Sequence, residues 1–288
     1  MKLKSGLGWI LALCLSVGLV GCGGSEGGES QTKVEGLDKL GEIQVVAREE
    51  GSGTRSAFAQ LADFEEGTKD LTREDAEITE DSVAMIQKVS DNTSAIGYVS
   101  SGSLAEESKI KTLQVNGVSV DETNGKYPLA RSFYLAYSGN LSDVAVDFLS
   151  YVHTSGQEIV GKSYTTVAKS STFLSDQSAG TIIIQGSTSV EPLMQELAAA
   201  YTELNSNADI QVTASDSTSG LNAAMAGNCD FGMASRDLQD YEAELLDYEK
   251  IAEDNIAVIV QEDNPLENIS LDSLKKIYTG ETKSWELI

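Results

Sequence analysis

Short apolar runs alternate with amphipathic stretches between residues 43 and 278. The apolar runs predict buried strands at 43–47, 95–99, 110–120, 132–137, 181–185, 209–213, 231–234 and 256–260. The amphipathic stretches predict helices at 54–64, 82–90, 142–153, 155–162, 190–204, 221–227, 240–249 and 271–278. Residues 65–80 are acidic and are predicted to lie on the surface. Strands that alternate with helices are typical of an α/β protein, here with mainly parallel sheets.

The turn after the first predicted strand has the composition of an anion cradle. It runs from Arg48 through Gly51, Ser52 and Gly53 to Thr54, at the start of a predicted helix. The first N–H groups of a helix are unpaired and carry the positive end of its dipole. Glycines let the backbone approach a ligand, and arginine adds a forked, permanent charge. Taken alone, the turn is explained equally well as an ordinary helix cap beside a surface arginine.

Three later strand ends carry similar small hydroxyl residues. They are Thr188 and Ser189 after strand 181–185, Ser217 after strand 209–213, and Ser235 after strand 231–234. In open α/β sheets, ligands bind at the carboxyl ends of the strands. The sequence therefore predicts that these turns converge with Arg48 to Thr54 on one small anion.

Composition narrows the function. The chain has 288 residues, which is enough for two medium domains, and a net charge of -25, which argues against a nucleic-acid partner. A small anion is still compatible, because local donors govern a buried site. The only histidine, His153, ends a helical run, and no His/Cys cluster has zinc spacing. An enzyme and a cofactor are therefore not expected.

The N-terminus has the pattern of a targeting segment. Two lysines precede an apolar run at 9–20 that ends in Leu19-Val20-Gly21-Cys22. This resembles a bacterial lipoprotein signal, which implies a signal peptide at 1–21, a lipid on Cys22, a flexible tether at 22–36 and attachment to the extracytoplasmic face of the cell membrane. The alternatives are a plain secretory signal or one transmembrane anchor, for which the run is short. Cys229 is then the only mature cysteine and is predicted to be a small buried residue rather than a reactive thiol.

Six blocks of the mature chain resemble the phosphate-binding lipoproteins of bacterial ABC phosphate importers. The blocks are residues 45–58, 95–100, 125–139, 180–193, 216–238 and 256–285. The resemblance implies a two-lobe, periplasmic-binding-protein-like (type II) α/β fold with a ligand cleft and hinge strands between the lobes. It also implies a monomer that captures inorganic phosphate and delivers it to the permease subunits of an ABC importer.

The order of these blocks is reversed relative to that family pattern. Residues 41–165 resemble the second half and residues 180–288 the first half, which implies a circular permutation joined by a connector at 163–180. One lobe would then consist of 37–115 plus 262–288 and carry Arg48 to Arg55. The continuous lobe, 122–258, would carry the later hydroxyl turns. The alternative is a fragment or fusion of two incomplete modules.

The resemblance also implies the ligand residues. These are Arg48, Ser52, Gly53, Thr54, Thr188, Ser189, Ser217 and Ser235. Some family members have an aspartate at the position of Ser235, where it accepts a hydrogen bond from protonated phosphate. Serine leaves selectivity over sulfate or molybdate open, with Asp216 or Glu49 as substitute acceptors. Arg55 and Arg236 line the cleft or pair with nearby carboxylates. A phosphate sensor or surface module without transport is a further alternative.

Overall fold

The computed structural model describes residues 34–104, 108–122 and 125–288. Its α-helices, α1 to α8 in chain order, are Gly53–Leu61, Ser82–Ser90, Asp143–Val152, Gln157–Ser163, Glu191–Leu204, Ser217–Met225, Asp240–Leu245 and Leu271–Tyr278. Its strands, β1 to β14, are Gln44–Arg48, Glu65–Glu66, Lys69–Asp70, Glu77–Thr79, Ala95–Ser100, Ile110–Thr112, Gln114–Val115, Ala130–Tyr137, Thr165–Thr166, Gly180–Ser187, Ala208–Ser215, Phe231–Ala234, Asp247–Gln261 and Asn268–Ile269. The predicted signal peptide and Cys22 lie outside the described residues.

Within the described ranges, ten strands form one sheet with antiparallel strands at its centre. The main order is β11-β10-β12-β8-β13-β5-β1-β4, and β6 and β9 also pair with β13. The pairs β10–β11, β10–β12, β1–β4 and β1–β5 are parallel, as predicted. The pairs β12–β8, β13–β8 and β13–β5 are antiparallel. The predicted mainly parallel arrangement therefore holds only towards the two ends of the sheet.

The longest strand replaces part of a predicted helix. Helix α7 ends at Leu245, and β13 begins at Asp247, so the predicted helix at 240–249 and strand at 256–260 are both wrong in their bounds. Residues 247–250 are rich in charged side chains and carry no strand alternation. They are held as a strand because they pair with residues 134–137 of β8. Long-range pairing overrides local propensity here.

The predicted strand at 110–120 consists of two short strands, β6 and β7, and ends in a turn at Asn116 and Gly117. Asn116 and Gly117 both have positive φ, at 51° and 77°. An extended strand cannot pass through two such residues. The backbone N–H of Asn116 instead donates to the carbonyl of Ile269, so the turn is fastened to the C-terminal part of the chain.

Three hydrophobic clusters divide the described chain into two lobes. Buried side chains from 37–129 and 256–285 form the first core, and buried side chains from 133–252 form the second. A smaller third cluster, at 136–246, belongs to the same lobe as the second core. We call the first lobe residues 34–129 plus 256–288, and the second lobe residues 130–255. Strand β13 and the chain that runs from Leu129 into β8 pass side by side from one core to the other, which is the arrangement of a hinge. Tyr127, Leu129 and Ile256 pack in the first core, so the interval predicted for the continuous lobe, 122–258, is too long at both ends.

The C-terminal segment completes the first core. Trp285 is fully buried, and its indole Nε1 donates to the carbonyl of Ser94 at 2.9 Å. The backbone N–H of Ile43 donates to the carbonyl of Lys283 at 2.8 Å. The ring of Tyr278 on α8 packs against Phe58 of α1 at 4.8 Å between centroids. Helix α1 is therefore supported from beneath by the last helix of the chain.

The predicted connector at 163–180 contains β9 and otherwise little regular structure, and it is tied to the second lobe. Buried Asp147 of α3 accepts hydrogen bonds from the hydroxyl of Ser175 at 2.7 Å and from the N–H of Asp176 at 3.2 Å. The hydroxyl of Tyr201 donates to the same carboxylate at 2.7 Å. These bonds hold the connector against α3 and α5.

Candidate functional site

The first wall of the candidate site is the junction between β1 and α1. Arg48 is the last residue of β1, and Gly53 and Thr54 are the first two residues of α1. The backbone N–H of Arg48 donates to the hydroxyl of Tyr98 at 3.1 Å. The hydroxyl of Ser52 accepts from the N–H of Arg55 at 3.4 Å and caps the helix. The polar side chains of Arg48, Ser52 and Thr54 are all buried.

The second wall consists of three strand ends of the second lobe. Thr188 and Ser189 follow β10, and Ser235 follows β12. Helix α6 begins at Ser217, four residues before the predicted start at 221, because Asp216 caps it by accepting from the N–H of Ser219 at 2.8 Å. Ser217 therefore lies in the first turn of a helix, where backbone N–H groups have no partner within the helix.

The two walls touch. The Arg48 guanidinium donates from Nη2 to the hydroxyl of Thr188 at 3.0 Å. The hydroxyls of Thr54 and Ser189 lie 2.7 Å apart. Gly53 comes so close to the second lobe that a Cβ placed on it would lie 2.2 Å from Oγ of Ser217.

Seven of the eight predicted ligand residues are thus brought together. They are Arg48, Gly53, Thr54, Thr188, Ser189, Ser217 and Ser235. The hydroxyl of the eighth, Ser52, is directed to the cap of α1. The lobes also meet beside the site, where the carbonyl of Gly51 accepts from the N–H and the hydroxyl of Thr218.

Ser187 is a further member of the site that the prediction omits. Its hydroxyl donates to that of Ser235 at 2.9 Å and accepts from the N–H of Ser189 at 3.3 Å. The N–H of Ser235 donates to the hydroxyl of Ser217 at 3.1 Å. The signal was available in the sequence, because Ser187 belongs to the same turn as Thr188. It was omitted because the resemblance from which the ligand residues were taken implies only Thr188 and Ser189 in this turn.

Each of two buried arginines at the site is paired with a carboxylate. Arg48 donates from Nε and Nη2 to the two carboxylate oxygens of Glu49, both at 2.7 Å. Arg131, which was not predicted, donates from Nη2 to Oδ2 of Asp254 at 2.8 Å. Complete burial raises the pKa of the Asp254 carboxyl, and the charge and hydrogen bonds of Arg131 oppose that rise. The sequence signal for Arg131 is its place two residues before Phe133 in an alternating run. It lies one residue before the start of the predicted strand at 132–137.

The other candidate polar residues have their own partners. Arg55 donates from Nε to Asp70 at 2.9 Å, and Arg236 donates from Nη1 to Glu242 at 2.7 Å. Both arginines therefore form ion pairs with nearby carboxylates, which is one of the two alternatives that the sequence left open. Arg236 also reaches Thr218, from Nη2 to the hydroxyl at 3.2 Å. Asp216 is occupied as a helix cap, and Glu49 by Arg48, as described above.

The residues weighed for nucleophilic chemistry lie elsewhere in the second lobe. Nε2 of His153 is 3.8 Å from a carboxylate oxygen of Glu249, at the end of α3. Cys229 is half-buried, and burial raises the pKa of its thiol to about 11, which keeps it protonated at neutral pH. None of the helices in the described ranges is long and apolar enough to span a membrane.

A two-lobe α/β fold with polar groups of both lobes meeting beside a two-strand hinge is the architecture of a solute-binding protein. Residues 171–287 match the model of a PBP superfamily domain. Phosphate-binding protein PstS 2 of Streptococcus pneumoniae TIGR4 is 36% identical over 299 aligned positions, covering 100% of both chains. The counterpart from Streptococcus agalactiae 2603 V/R is 35% identical over 96% of this chain and 97% of its own. The chain belongs to the PstS phosphate-binding protein family.

A solved structure gives the same result. The crystal structure of the phosphate-binding protein of a phosphate ABC transporter from Streptococcus pneumoniae TIGR4 matches with a TM-score of 0.70 and 35% identity, over 86% of this chain and 100% of that one. Full-length alignment with the streptococcal PstS 2 proteins shows that they share the segment order of this chain. PstS of Bacillus subtilis is 34% identical over 116 positions, which cover 38% of each chain.

Proposed function

We propose that this protein binds inorganic phosphate between its lobes and delivers it to the permease subunits of an ABC importer. The observation that carries the proposal is the meeting of the Arg48–Thr54 turn with Thr188, Ser189, Ser217 and Ser235 at a buried contact between two lobes. Membership of the PstS family supports phosphate as the ligand, because the relatives are named for binding it.

The chemistry of the site suits an oxyanion that is held without a metal. Hydroxyls and helix N-termini supply neutral donors, and the guanidinium of Arg48 supplies charge-assisted ones. Because Glu49 balances Arg48, neutral dipoles provide most of the stabilisation. Phosphate near neutral pH is a mixture of monobasic and dibasic ions, and hydroxyls can donate to either form or accept from the monobasic one. Closing the lobes buries the ion, and release requires them to reopen.

Selectivity depends on which group accepts a proton from phosphate. Ser235 is the candidate, and its hydroxyl already accepts from Ser187 at 2.9 Å. A hydroxyl has a second lone pair and can still accept from monobasic phosphate, but it does not repel a fully ionised anion as a carboxylate does. We therefore propose that phosphate and arsenate bind more tightly than sulfate and molybdate by the one hydrogen bond that their proton donates, a smaller margin than a carboxylate acceptor would give.

Isothermal titration of phosphate-free protein tests this proposal. We expect phosphate to bind with a 1:1 stoichiometry and arsenate to compete, because both are protonated tetrahedral anions. Sulfate and molybdate should give weaker binding under the same conditions. No heat with phosphate would refute phosphate binding, and tighter binding of sulfate or molybdate would assign the site to another tetrahedral oxyanion.

Delivery to the permease is tested in cells. A deletion strain that carries this chain should grow at low phosphate, whereas one that carries a variant without phosphate binding should not. If the purified protein binds phosphate in vitro but does not rescue growth, the alternative of a sensor or surface module is favoured.

We also propose that the protein is a monomer, lipidated on Cys22 and anchored to the extracytoplasmic face of the membrane. The pattern of two lysines, an apolar run and Leu19-Val20-Gly21-Cys22 supports the anchor. Metabolic labelling with palmitate should mark the wild type and leave Cys22→Ser unlabelled. After cell fractionation, the wild type should be found in the membrane fraction and the variant outside it. Equal palmitate labelling of both proteins would contradict the anchor.

A further inference from the structure

The guanidinium of Arg131 lies where the two lobes and the two hinge strands meet. Arg131 is on β8, and Asp254 is its directly paired neighbour on β13. Both residues are buried, and the guanidinium lies 5.2 Å from the ring centroid of Phe133. No other position of the described hinge strands combines a fully buried cation with contacts to both lobes.

One nitrogen of this guanidinium connects the two lobes. Nη1 donates to the hydroxyl of Thr54 in the first lobe at 2.8 Å and to the carbonyl of Ser235 in the second lobe at 3.1 Å. Thr54 and Ser235 belong to opposite walls of the candidate site. Both bonds can form together only when the walls are in contact, since Nη1 cannot follow two groups that separate.

Asp254 fixes the direction in which Nη1 is aimed. Its Oδ2 accepts from Nε and Nη2 of Arg131 at 3.0 and 2.8 Å. Its Oδ1 accepts from the hydroxyls of Ser100 and Ser101, both at 3.0 Å, at the end of β5. The guanidinium is therefore held to the hinge by its other two nitrogens, which leaves Nη1 for the lobes.

The hydrogen bond from Arg131 also fixes the direction in which the Thr54 hydroxyl proton points. An arginine N–H can only donate, so the single Thr54 hydroxyl proton must point away from Nη1. Its neighbour on that side is the hydroxyl of Ser189 at 2.7 Å. An oxyanion that replaced the Ser189 hydroxyl as the partner of Thr54 would receive that proton as a hydrogen bond. Thr54 is thus oriented as a donor before the ion arrives.

We propose that Arg131 is a positioning residue that stabilises the closed, ligand-retaining arrangement of the lobes through Thr54 and Ser235. This inference rests on the proposed function. It assigns to the hinge pair Arg131–Asp254 a role in retaining the ion, in addition to joining the two strands. It predicts that weakening this link accelerates loss of phosphate more than it slows capture.

Arg131→Lys tests the proposal while keeping the positive charge. One ammonium cannot hold Asp254 through two nitrogens and also reach both lobes. We expect phosphate affinity to fall by about 10- to 100-fold, the range that follows from losing one or two charge-assisted hydrogen bonds. Stopped-flow measurement should place most of the change in the dissociation rate. Distances between spin labels on the two lobes should show less closure at saturating phosphate.

Three further measurements separate positioning from a general structural role. Arg73→Lys replaces another largely buried, carboxylate-paired arginine, away from the site, and should leave phosphate affinity unchanged. In a double-mutant cycle, Arg131→Lys should lose much of its effect in a Thr54→Val background, because its acceptor is already gone. If Arg131→Lys does not fold, Asp254→Asn should give the same rise in dissociation rate.

Wild-type affinity and dissociation rate in Arg131→Lys would overturn the proposal, and so would strictly additive effects with Thr54→Val. These outcomes differ from failure of the proposed function, in which the wild type itself would not bind phosphate.

Discussion

Gly53→Ala is expected to abolish measurable phosphate binding while the protein remains folded. The added Cβ would lie 2.2 Å from Oγ of Ser217 and 2.6 Å from Oγ of Ser235. Both serines belong to the opposite lobe, so the clash arises only when the lobes close. They are fully buried and hydrogen-bonded to each other, so neither can move aside without breaking the second wall. We expect an affinity loss of at least about 100-fold, equivalent to about 3 kcal/mol.

The stability of the ligand-free variant separates this effect from misfolding. Gly53 is the first residue of α1 and has an ordinary helical position, where alanine is at least as favourable as glycine. The midpoint of thermal unfolding without phosphate should therefore not fall. Gly161→Ala is the matched control, because Gly161 also lies in a helix and its added Cβ would meet only Thr166, at 3.3 Å. Wild-type phosphate affinity in Gly53→Ala would show that the lobes do not close on Gly53.

Trp285→Ala is expected to destabilise the first lobe by about 3–5 kcal/mol, the usual cost of removing a large buried aromatic side chain. Trp285 is fully buried, and its Nε1 bond to the carbonyl of Ser94 would be lost with the ring. Its own N–H donates to the carbonyl of Gly41 at 3.0 Å. The indole ring thus packs where the C-terminal residues of the chain contact the segment around Gly41, which leads into β1.

Urea unfolding followed by circular dichroism measures this effect, with Leu287→Ala as control. Leu287 is 69% exposed, so its truncation should change the free energy of unfolding by less than about 0.5 kcal/mol. Deletion of residues 270–288 should have a larger effect and remove phosphate binding altogether. It deletes α8 and with it the support of Phe58 on α1 by Tyr278. Retained phosphate affinity in the deletion would show that the Arg48–Thr54 turn does not depend on the C-terminal part of the first lobe.

Helices and strands with strong local signals were predicted almost to the residue. Helices α2 and α8 have the predicted bounds, because Asp81 and Ser270 cap them and a single apolar stripe runs along each. Strand β12 was also predicted correctly, since its four residues are all buried. Segments without a local signal were not predicted. Residues 247–250 are a strand only because β8 lies beside them.

The site divides in the same way. The hydroxyl and glycine turns could be predicted because a strand end and a helix start are local features, and the ligand chemistry follows from their composition. Arg131 could not be predicted as a neighbour of the site. Its partners Thr54, Ser235 and Asp254 are 77, 104 and 123 residues away in the sequence. The hydroxyl of Ser52 caps α1, and its predicted contact with the ligand stays a prediction.

The sequence by itself determined the α/β class, the anion-binding character of the turns and the resemblance to phosphate-binding proteins. These three properties follow from residue periodicity and from the composition of single turns. Both are local features, set by residues that are neighbours in the sequence. Only the tertiary structure decided that the Arg48–Thr54 turn faces the serines of the second lobe, that β8 and β13 form the hinge, and that Arg131 joins all of these. Such features depend on strand pairing and lobe contact between distant segments, whose energies no local pattern contains.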